Sequence, residues 1–253
     1  MSQPRRRQVG RFGWVPDLPD ARDHLFAVRP DVLVDLPTSV SLRDRLPGVY
    51  DQGRIGSCTA NAIAAAFEFD LRRQELADFM PSRLFVYYNE RDIERTVGTD
   101  SGAMLRDGVK CVSKLGVCSE DEWPYDDTSP AYDGGPWPTG ARAGTKPSPE
   151  CYTEALENTA TSYQRVVRTL SQLKGCLAEG YPFVFGFTVY ESFQSDEVTR
   201  TGVVPMPHPH ESVLGGHAVL AVGFDDANQR FEVRNSWGQQ WGDEATSPCR
   251  TRT

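Results

Sequence analysis

One cysteine stands where its thiol could act as a nucleophile. Cys58 follows a short stretch that contains Gly53 and Gly56, and it opens a run of apolar residues at helical spacing. A thiol in the first turn of a helix gains thiolate character from the helix dipole and from unpaired backbone N–H groups. We therefore expect nucleophilic chemistry at Cys58. The alternative, an inert buried thiol, is what we expect of most of the other five cysteines.

Two downstream blocks could activate such a thiol. His217 enters an apolar strand after a glycine turn, and Asn235 opens the block Asn-Ser-Trp-Gly. An imidazole can take the thiol proton, and a neutral carboxamide can hold that imidazole in orientation. Gln52, six residues before the cysteine, could donate a hydrogen bond to a developing oxyanion beside the backbone N–H of Cys58. These residue types predict acyl transfer at a carbonyl carbon.

The three blocks resemble the signature blocks of papain-family cysteine peptidases. The matching residues are 52–58, 216–218, and 235–238 with 241–242, in the family's order Cys, His, Asn. The resemblance covers about residues 45–242. Within it, residues 100–103 resemble the family's glycine-rich segment that pairs with the substrate backbone, and residues 123–125 resemble its aromatic-Pro-Tyr element.

The resemblance implies a cysteine-type endopeptidase that hydrolyses peptide bonds through an acyl-enzyme thioester, with no cofactor and no metal. The implied catalytic residues are Cys58, His217, Asn235 and Gln52. The implied substrate-binding residues are Ser101, Gly102, Gly216 and Trp237, and Trp237 also shields the His–Asn hydrogen bond from water. Two departures from the family, Ile55 in place of a cysteine and Thr59 in place of a tryptophan, suit a reduced setting.

The periodicity predicts an α+β fold of two lobes. The resemblance implies the papain-like arrangement, in which a helical lobe packs on an antiparallel β-barrel-like lobe and the site lies in the cleft between them. The expected helices are residues 57–77, 82–96, 103–115 and 167–180. A proline-containing loop region is expected over residues 123–150. The expected strands are residues 183–189, 218–224 and 230–234.

Residues 1–48 read as an N-terminal extension, because prolines recur there and helical periodicity is poor. The extension is too short and proline-rich for the long helical pro-segment of many relatives. Any latency would therefore come from a simpler covering strand. The remaining residues, 49–253, form the predicted peptidase domain, with the helical lobe at about 49–165, the β lobe at about 166–242 and an atypical tail at 243–253.

Composition narrows the partners. The 253 residues carry a formal net charge of −8, which argues against nucleic acid as the main partner. No apolar stretch approaches the roughly 18 residues that a membrane helix needs, and no apolar signal region follows the first residues. We expect a monomer that acts on peptides or proteins in the cytoplasm, with signal-independent secretion left open.

The C-terminal tail is unusual for the resembled family. After Gly242 the family continues with an apolar strand, whereas residues 243–253 are polar and show no period-2 alternation. We expect an unpaired edge in the β lobe and low stability. A frameshift in the gene near Gly242 would explain the tail, and reading the DNA tests that hypothesis. An inactive, peptide-binding homologue and an acyl-transfer relative such as a ligase or amidase remain alternatives to the peptidase.

Overall fold

The computed structural model describes residues 12–250, so the first eleven residues of the predicted extension and the last three of the predicted tail lie outside it. The fold is α+β, as predicted. Its α-helices are α1 (Pro30–Val34), α2 (Cys58–Arg73), α3 (Arg83–Glu94), α4 (Leu105–Lys114), α5 (Pro149–Ala155), α6 (Leu170–Ala178) and α7 (Asp196–Thr201). Three short 3-10 helices lie at Arg43–Arg45, Arg142–Gly144 and Glu191–Gln194.

Local sequence explains where the long helices begin. The Ser82 hydroxyl accepts the backbone N–H of Phe85 at the start of α3, and Thr169 accepts that of Gln172 at the start of α6. Both are N-caps, which satisfy backbone donors that the first turn leaves unpaired. Helix α2 ends at Arg73, four residues before the predicted end, and Glu75 then turns into the left-handed region. No glycine signals that end in the sequence.

The helical lobe packs α2, α3 and α4 around one apolar cluster. Ile55, Leu84 and Phe85 are fully buried in it, together with Cys58 at the first turn of α2. Burial of a side chain of this size contributes about 1.5–3 kcal/mol. The cluster therefore fixes the position of the α2 start, where the predicted nucleophile lies.

The β lobe is a five-stranded antiparallel sheet of β3, β6, β7, β8 and β9. The long strand β7 (Val213–Asp225) pairs with β6 (Phe183–Tyr190) along its first part and with β3 (Ser39–Ser41) near its end. Its other edge pairs with β8 (Arg230–Arg234), as predicted for that strand. Strand β7 begins five residues before the predicted start. Strand β3 comes from the predicted extension, and Leu42 and Leu46 after it are buried against α2 and β7.

The C-terminal tail pairs with the sheet. Strand β9 (Thr246–Arg250) runs antiparallel to β8 over its whole length, from Arg234↔Thr246 to Arg230↔Arg250. The expectation of an unpaired β8 edge was therefore wrong. Backbone groups make this pairing, so a polar sequence without alternation can provide it. Pro248, which has no N–H to donate, is compatible with a strand at the edge of the sheet.

The segment before β3 crosses both lobes. Strand β1 (Trp14–Val15) pairs in parallel with β4 (Ala103–Met104), and β2 (Leu25–Phe26) pairs in parallel with β5 (Arg165–Val166). Of the cysteines, Cys58, Cys111, Cys118, Cys151 and Cys176 are buried free thiols. Within residues 12–250, no helix is long and apolar enough to cross a membrane.

Candidate active site

Strand β7 and the turn after β8 bring the predicted base and its orienting amide together. His217 is fully buried, and its Nε2 lies 2.8 Å from Asn235 Oδ1. The same oxygen accepts the backbone N–H of Ser236 at 2.8 Å, which fixes the orientation of the amide. Nε2 must therefore carry the ring proton and donate it. In the neutral imidazole, Nδ1 is then the nitrogen that can accept a proton.

An indole covers this pair. The Trp237 ring centroid lies 5.0 Å from that of His217, with 35° between the planes. Phe187 and Phe193 contact the same imidazole edge-on, at 5.8 and 6.3 Å. Water is kept from the His–Asn hydrogen bond, and the low dielectric strengthens it.

The predicted nucleophile lies beside this pair. Cys58 is fully buried at the first turn of α2, and its sulfur contacts the backbone N–H of Ala218, the residue after His217. Burial raises the pKa of the Cys58 thiol from 9.0 to about 12, although the N–H groups of Ala218 and Gly13 oppose the increase. In this state the thiol is protonated at neutral pH.

Gln52 is held between the two lobes. Its side-chain oxygen accepts hydrogen bonds from Ser236 Oγ at 2.8 Å and from Trp237 Nε1 at 3.2 Å. Its Nε2 donates to the Ile55 carbonyl at 3.0 Å, which uses one of the two amide hydrogens. The second amide hydrogen can serve an oxyanion.

The loop from residue 51 to residue 57 is fixed by side chains of the helical lobe. The Tyr125 hydroxyl donates to the Gln52 carbonyl at 2.8 Å and also bonds Ser57 Oγ at 2.6 Å. The Arg83 guanidinium stacks on the Tyr125 ring at 3.9 Å and donates to the Asp51 carbonyl. The aromatic-Pro-Tyr element of the sequence thus supports the loop that carries Gln52.

The N-terminal segment fills the cleft. The Gly13 carbonyl accepts the Ala103 N–H at 2.8 Å, and Gly13 forms a parallel bridge with Gly216 on the opposite wall. A Cβ at Gly13 would lie 1.6 Å from the Gly56 carbonyl oxygen, so only glycine fits there. Gly13 also contacts the Cys58 sulfur through its N–H. The backbone of the segment therefore lies directly on the predicted nucleophile.

The neighbours of Gly13 extend along the cleft in both directions. The Phe12 ring lies 6.3 Å from the His217 ring and 6.2 Å from the Trp237 ring. On the other side, the Trp14 indole lies over Gly186 and Gly216, where added Cβ atoms would meet its ring at 1.9 and 2.7 Å. The segment thus occupies the cleft on both sides of Cys58.

Charges anchor the segment beyond the cleft. Arg106 at the start of α4 pairs with Asp23 at 2.7 Å, and its backbone N–H donates to Asp17 at 2.9 Å. Arg165 also pairs with Asp23, at 3.0 Å. Hydrogen bonds from the Arg106 side chain lower the pKa of Asp23, whereas burial raises the pKa of Asp17.

The residues selected from the sequence meet in this cleft, with one exception. Gly102, at φ +70°, lies against Gly13 and donates its N–H to the Tyr87 hydroxyl. The Ser101 hydroxyl instead forms local hydrogen bonds, with Thr96 Oγ1 and with the Gly102 carbonyl. Gly13 was missed, because no side-chain signal marks a residue that contacts the cleft through its backbone.

Comparisons with known proteins show which family the chain belongs to. The family model "Papain family cysteine protease" matches residues 36–250. The chain is 41% identical to "Uncharacterized peptidase C1-like protein L477" of Acanthamoeba polyphaga mimivirus, over 91% of this chain and 78% of that protein. It is 29% identical to "Cathepsin B-like CP2" of Giardia intestinalis, over 83% of this chain and 67% of that protein.

Solved structures show the same fold. Xylellain, a cysteine protease from Xylella fastidiosa, superposes with a TM-score of 0.89 at 46% identity, over 97% of this chain and 91% of that chain. Procathepsin B S9 from Trypanosoma congolense has the fold at a TM-score of 0.74 and 16% identity, over 96% of this chain and 82% of that chain. The chain therefore belongs to the papain family of cysteine proteases and is a hydrolase of the cysteine peptidase kind.

Proposed function

We propose that Cys58, His217 and Asn235 form a catalytic triad that hydrolyses internal peptide bonds. The observation that carries the proposal is the defined polarity of the His–Asn pair. Since Ser236 fixes the Asn235 oxygen toward the imidazole, the ring proton is on Nε2 and Nδ1 is the basic nitrogen. The Cys58 sulfur contacts the N–H of the residue that follows this histidine.

The proposed reaction has two halves. His217 takes the thiol proton, and the Cys58 sulfur forms a bond to the carbonyl carbon of the substrate. The C–N bond then breaks, and the amine leaves with the proton from His217. In the second half, His217 takes a proton from water, the hydroxide attacks the thioester, and the carbon–sulfur bond breaks to release the acid and regenerate the thiol.

The oxyanion of each half-reaction would be stabilised by two donors. One is the backbone N–H of Cys58, and the other is the second amide hydrogen of Gln52, whose carbonyl end is held by Ser236 and Trp237. Removal of one such donor typically costs about 2.7–4 kcal/mol in the transition state. Gln52 is buried and held before substrate arrives, so little reorganisation is needed.

The N-terminal segment makes the described state a latent one in this proposal. A substrate backbone must replace residues 12–15, because these residues cover Cys58 and bond Ala103. The path of the same segment favours cleavage of internal peptide bonds over removal of terminal residues. It passes on both sides of Cys58, so the cleft has room for chain on both sides of a scissile bond.

Substitution of the thiol tests the proposal. In the full chain carrying Gly13→Ala, whose added methyl group is expected to displace residues 12–15 from the cleft, Cys58→Ala is expected to reduce turnover of an internally quenched peptide by at least about 10⁴-fold, because the nucleophile is lost. Cys118→Ala, which removes another buried thiol, is the matched control and should retain activity. Equal and measurable turnover by the Gly13→Ala chain with and without Cys58→Ala would exclude the triad. Tight peptide binding without turnover would indicate a binding module instead, and transfer to an added amine would indicate a ligase.

A further inference from the structure

Within the helical lobe, a buried chain of hydrogen bonds joins two segments that lie near the predicted nucleophile. The Gly102 N–H donates to the Tyr87 hydroxyl at 3.2 Å, and the Tyr87 hydroxyl donates to Asp100 Oδ1. Both carboxylate oxygens of Asp100 lie 3.0 Å from the backbone nitrogen of Gly56. The chain thus runs from the Gly102 edge of the cleft to the loop that precedes Cys58.

Every donor and acceptor in this chain is determined. The two backbone N–H groups can only donate, so the Tyr87 hydroxyl accepts from Gly102, and it donates its own hydrogen to Asp100. Burial, with the Asp100 charge nearby, raises the pKa of Tyr87, which keeps that hydrogen in place. Asp100 is a carboxylate that accepts from two sides. Charge-assisted hydrogen bonds of this kind are about twice as strong as neutral ones.

The backbone before Asp100 is itself fixed. The fully buried Arg91 guanidinium donates to the Thr99 carbonyl at 3.0 Å and lies 3.8 Å from the centre of the Tyr87 ring. Its Nε donates to the Tyr87 carbonyl at 2.9 Å. Arg91 therefore holds Asp100 and Tyr87 in place relative to each other.

One peptide unit connects this chain to the predicted oxyanion donor. The N–H of Gly56 bonds Asp100, and the C=O of the same peptide unit, that of Ile55, accepts from Gln52 Nε2 at 3.0 Å. In a trans peptide these two groups point in opposite directions. When Asp100 fixes the Gly56 N–H, the Ile55 carbonyl points at Gln52 and accepts one hydrogen of its amide group. Because the amide group is planar, the direction of its second hydrogen is then fixed as well.

We propose that Asp100 is a positioning residue of the peptidase site, which orients the Gln52 side chain through the peptide unit between Ile55 and Gly56. Through Tyr87 it also sets the Gly102 edge on which a substrate backbone would lie. The inference rests on the proposed function, because the orientation of Gln52 matters only where an oxyanion forms. Asp100 would act through other groups and would not touch the reacting atoms.

The test compares turnover with thiol reactivity in the full chain carrying Gly13→Ala, in which the added methyl group is expected to displace residues 12–15 from the cleft. Asp100→Asn keeps the side-chain shape and is expected to lower kcat about 100-fold, since small misplacement of a donor has effects of that size. Alkylation of Cys58 by iodoacetamide forms no oxyanion, so its rate should change less than about threefold. Tyr87→Phe is expected to raise KM about fivefold through Gly102, with a smaller change in kcat.

Glu154→Gln is the matched control. It removes the charge from a carboxylate that accepts a backbone N–H, that of Ser119 at 2.9 Å, outside the site, and it should leave kcat unchanged. Unchanged kcat in Asp100→Asn would overturn the inference, and so would a parallel loss of turnover and alkylation, which indicates a purely structural role. If the Gly13→Ala parent neither turns over peptide nor alkylates at Cys58, the proposed function itself has failed.

Discussion

The two ends of the described chain have opposite relations to the same site. At the N-terminal end, residues 12–15 enter the cleft and cover Cys58 by contacts that a substrate backbone would also need. At the C-terminal end, β9 pairs with β8, and the Ala245 carbonyl before it accepts the Asn235 N–H at 2.7 Å. One end occludes the predicted triad, whereas the other supports its third member.

The quality of the contacts differs as well. Gly13 is well accommodated in the cleft, because its carbonyl and its N–H both form hydrogen bonds and its α-carbon packs against Gly56. In the N-terminal segment, one buried polar atom, Trp14 Nε1, has no hydrogen-bond partner among residues 12–250. Around β8 and β9 there are four such atoms: Arg230 Nε, Arg234 Nε and Nη1, and Thr246 Oγ1. Each such atom costs about 1–3 kcal/mol. The end that supports the site is therefore the less well satisfied one.

Removal of the C-terminal strand should have the largest effect. A chain that stops after Glu244 loses Ala245 and β9, which exposes the β8 edge and releases the backbone of Asn235. We expect the free energy of unfolding to fall by about 3 kcal/mol and Tm by about 10 °C, with turnover lost.

Calorimetry and a peptide assay measure both effects. Ser247→Ala removes only the hydrogen bond from its hydroxyl to the Gly202 carbonyl, so it should cost about 1 kcal/mol and retain turnover. An unchanged Tm in the truncated chain would show that β9 does not support the sheet.

Displacement of the N-terminal residues 12–15 from the cleft should increase turnover, the opposite of the effect expected at the C-terminal end. In Gly13→Ala the new methyl group overlaps the Gly56 carbonyl, so residues 12–15 leave the cleft and Cys58 is exposed. We expect alkylation of Cys58 and peptide turnover at pH 7.5 to rise at least about tenfold, the equivalent of about 1.4 kcal/mol of lost docking. Gly48→Ala, where an added Cβ meets no atom within 4 Å, is the control.

The pH dependence follows from the Cys58 thiol. Burial in the described state, where residues 12–15 cover Cys58, raises its pKa from 9.0 to about 12, so this state favours the protonated thiol. That stabilisation is fully present below pH 9 and is lost as the pH rises from 9 toward 12. The rate advantage of Gly13→Ala over the unaltered chain should therefore shrink above pH 9. If the ratio of the two rates stayed constant across that pH range, docking of residues 12–15 would not depend on the protonation of Cys58.

The smallest expected effect sharpens the comparison at the C-terminal end. Glu244 and Ala245 both have positive φ, at 50° and 58°, which is unfavourable for residues other than glycine. Glu244 is exposed, so Glu244→Gly should relieve strain and stabilise the protein by about 0.5–1 kcal/mol, or about 2–3 °C in Tm. Glu157→Gly, at an exposed position without positive φ, should not stabilise. A lower Tm in Glu244→Gly would mean that this turn is not strained.

Residue types in the sequence indicated the candidate site more clearly than they indicated the backbone segments that cover and support it. The three blocks around Cys58, His217 and Asn235 carry side chains whose chemistry is visible in sequence, and the strand at residues 230–234 was predicted with its observed bounds. Gly13 and β9 act through their backbones, so side-chain patterns are silent about both. Strand β7 was predicted too short, because Gly215 and Gly216 read as a turn. The monomeric state and the cytoplasmic location stay predictions.

Covalent labelling tests the central claim most directly. The full chain carrying Gly13→Ala is titrated with a peptidyl epoxide, and each sample is divided between a turnover assay and mass spectrometry of its cysteine-containing peptides. The triad predicts that the label is on Cys58, and that turnover falls in proportion to the labelled fraction, reaching zero at one label per chain. His217→Ala in the same background should not be labelled at neutral pH. Turnover that persists when Cys58 is fully labelled, or that is lost with the label on another cysteine, would contradict the account.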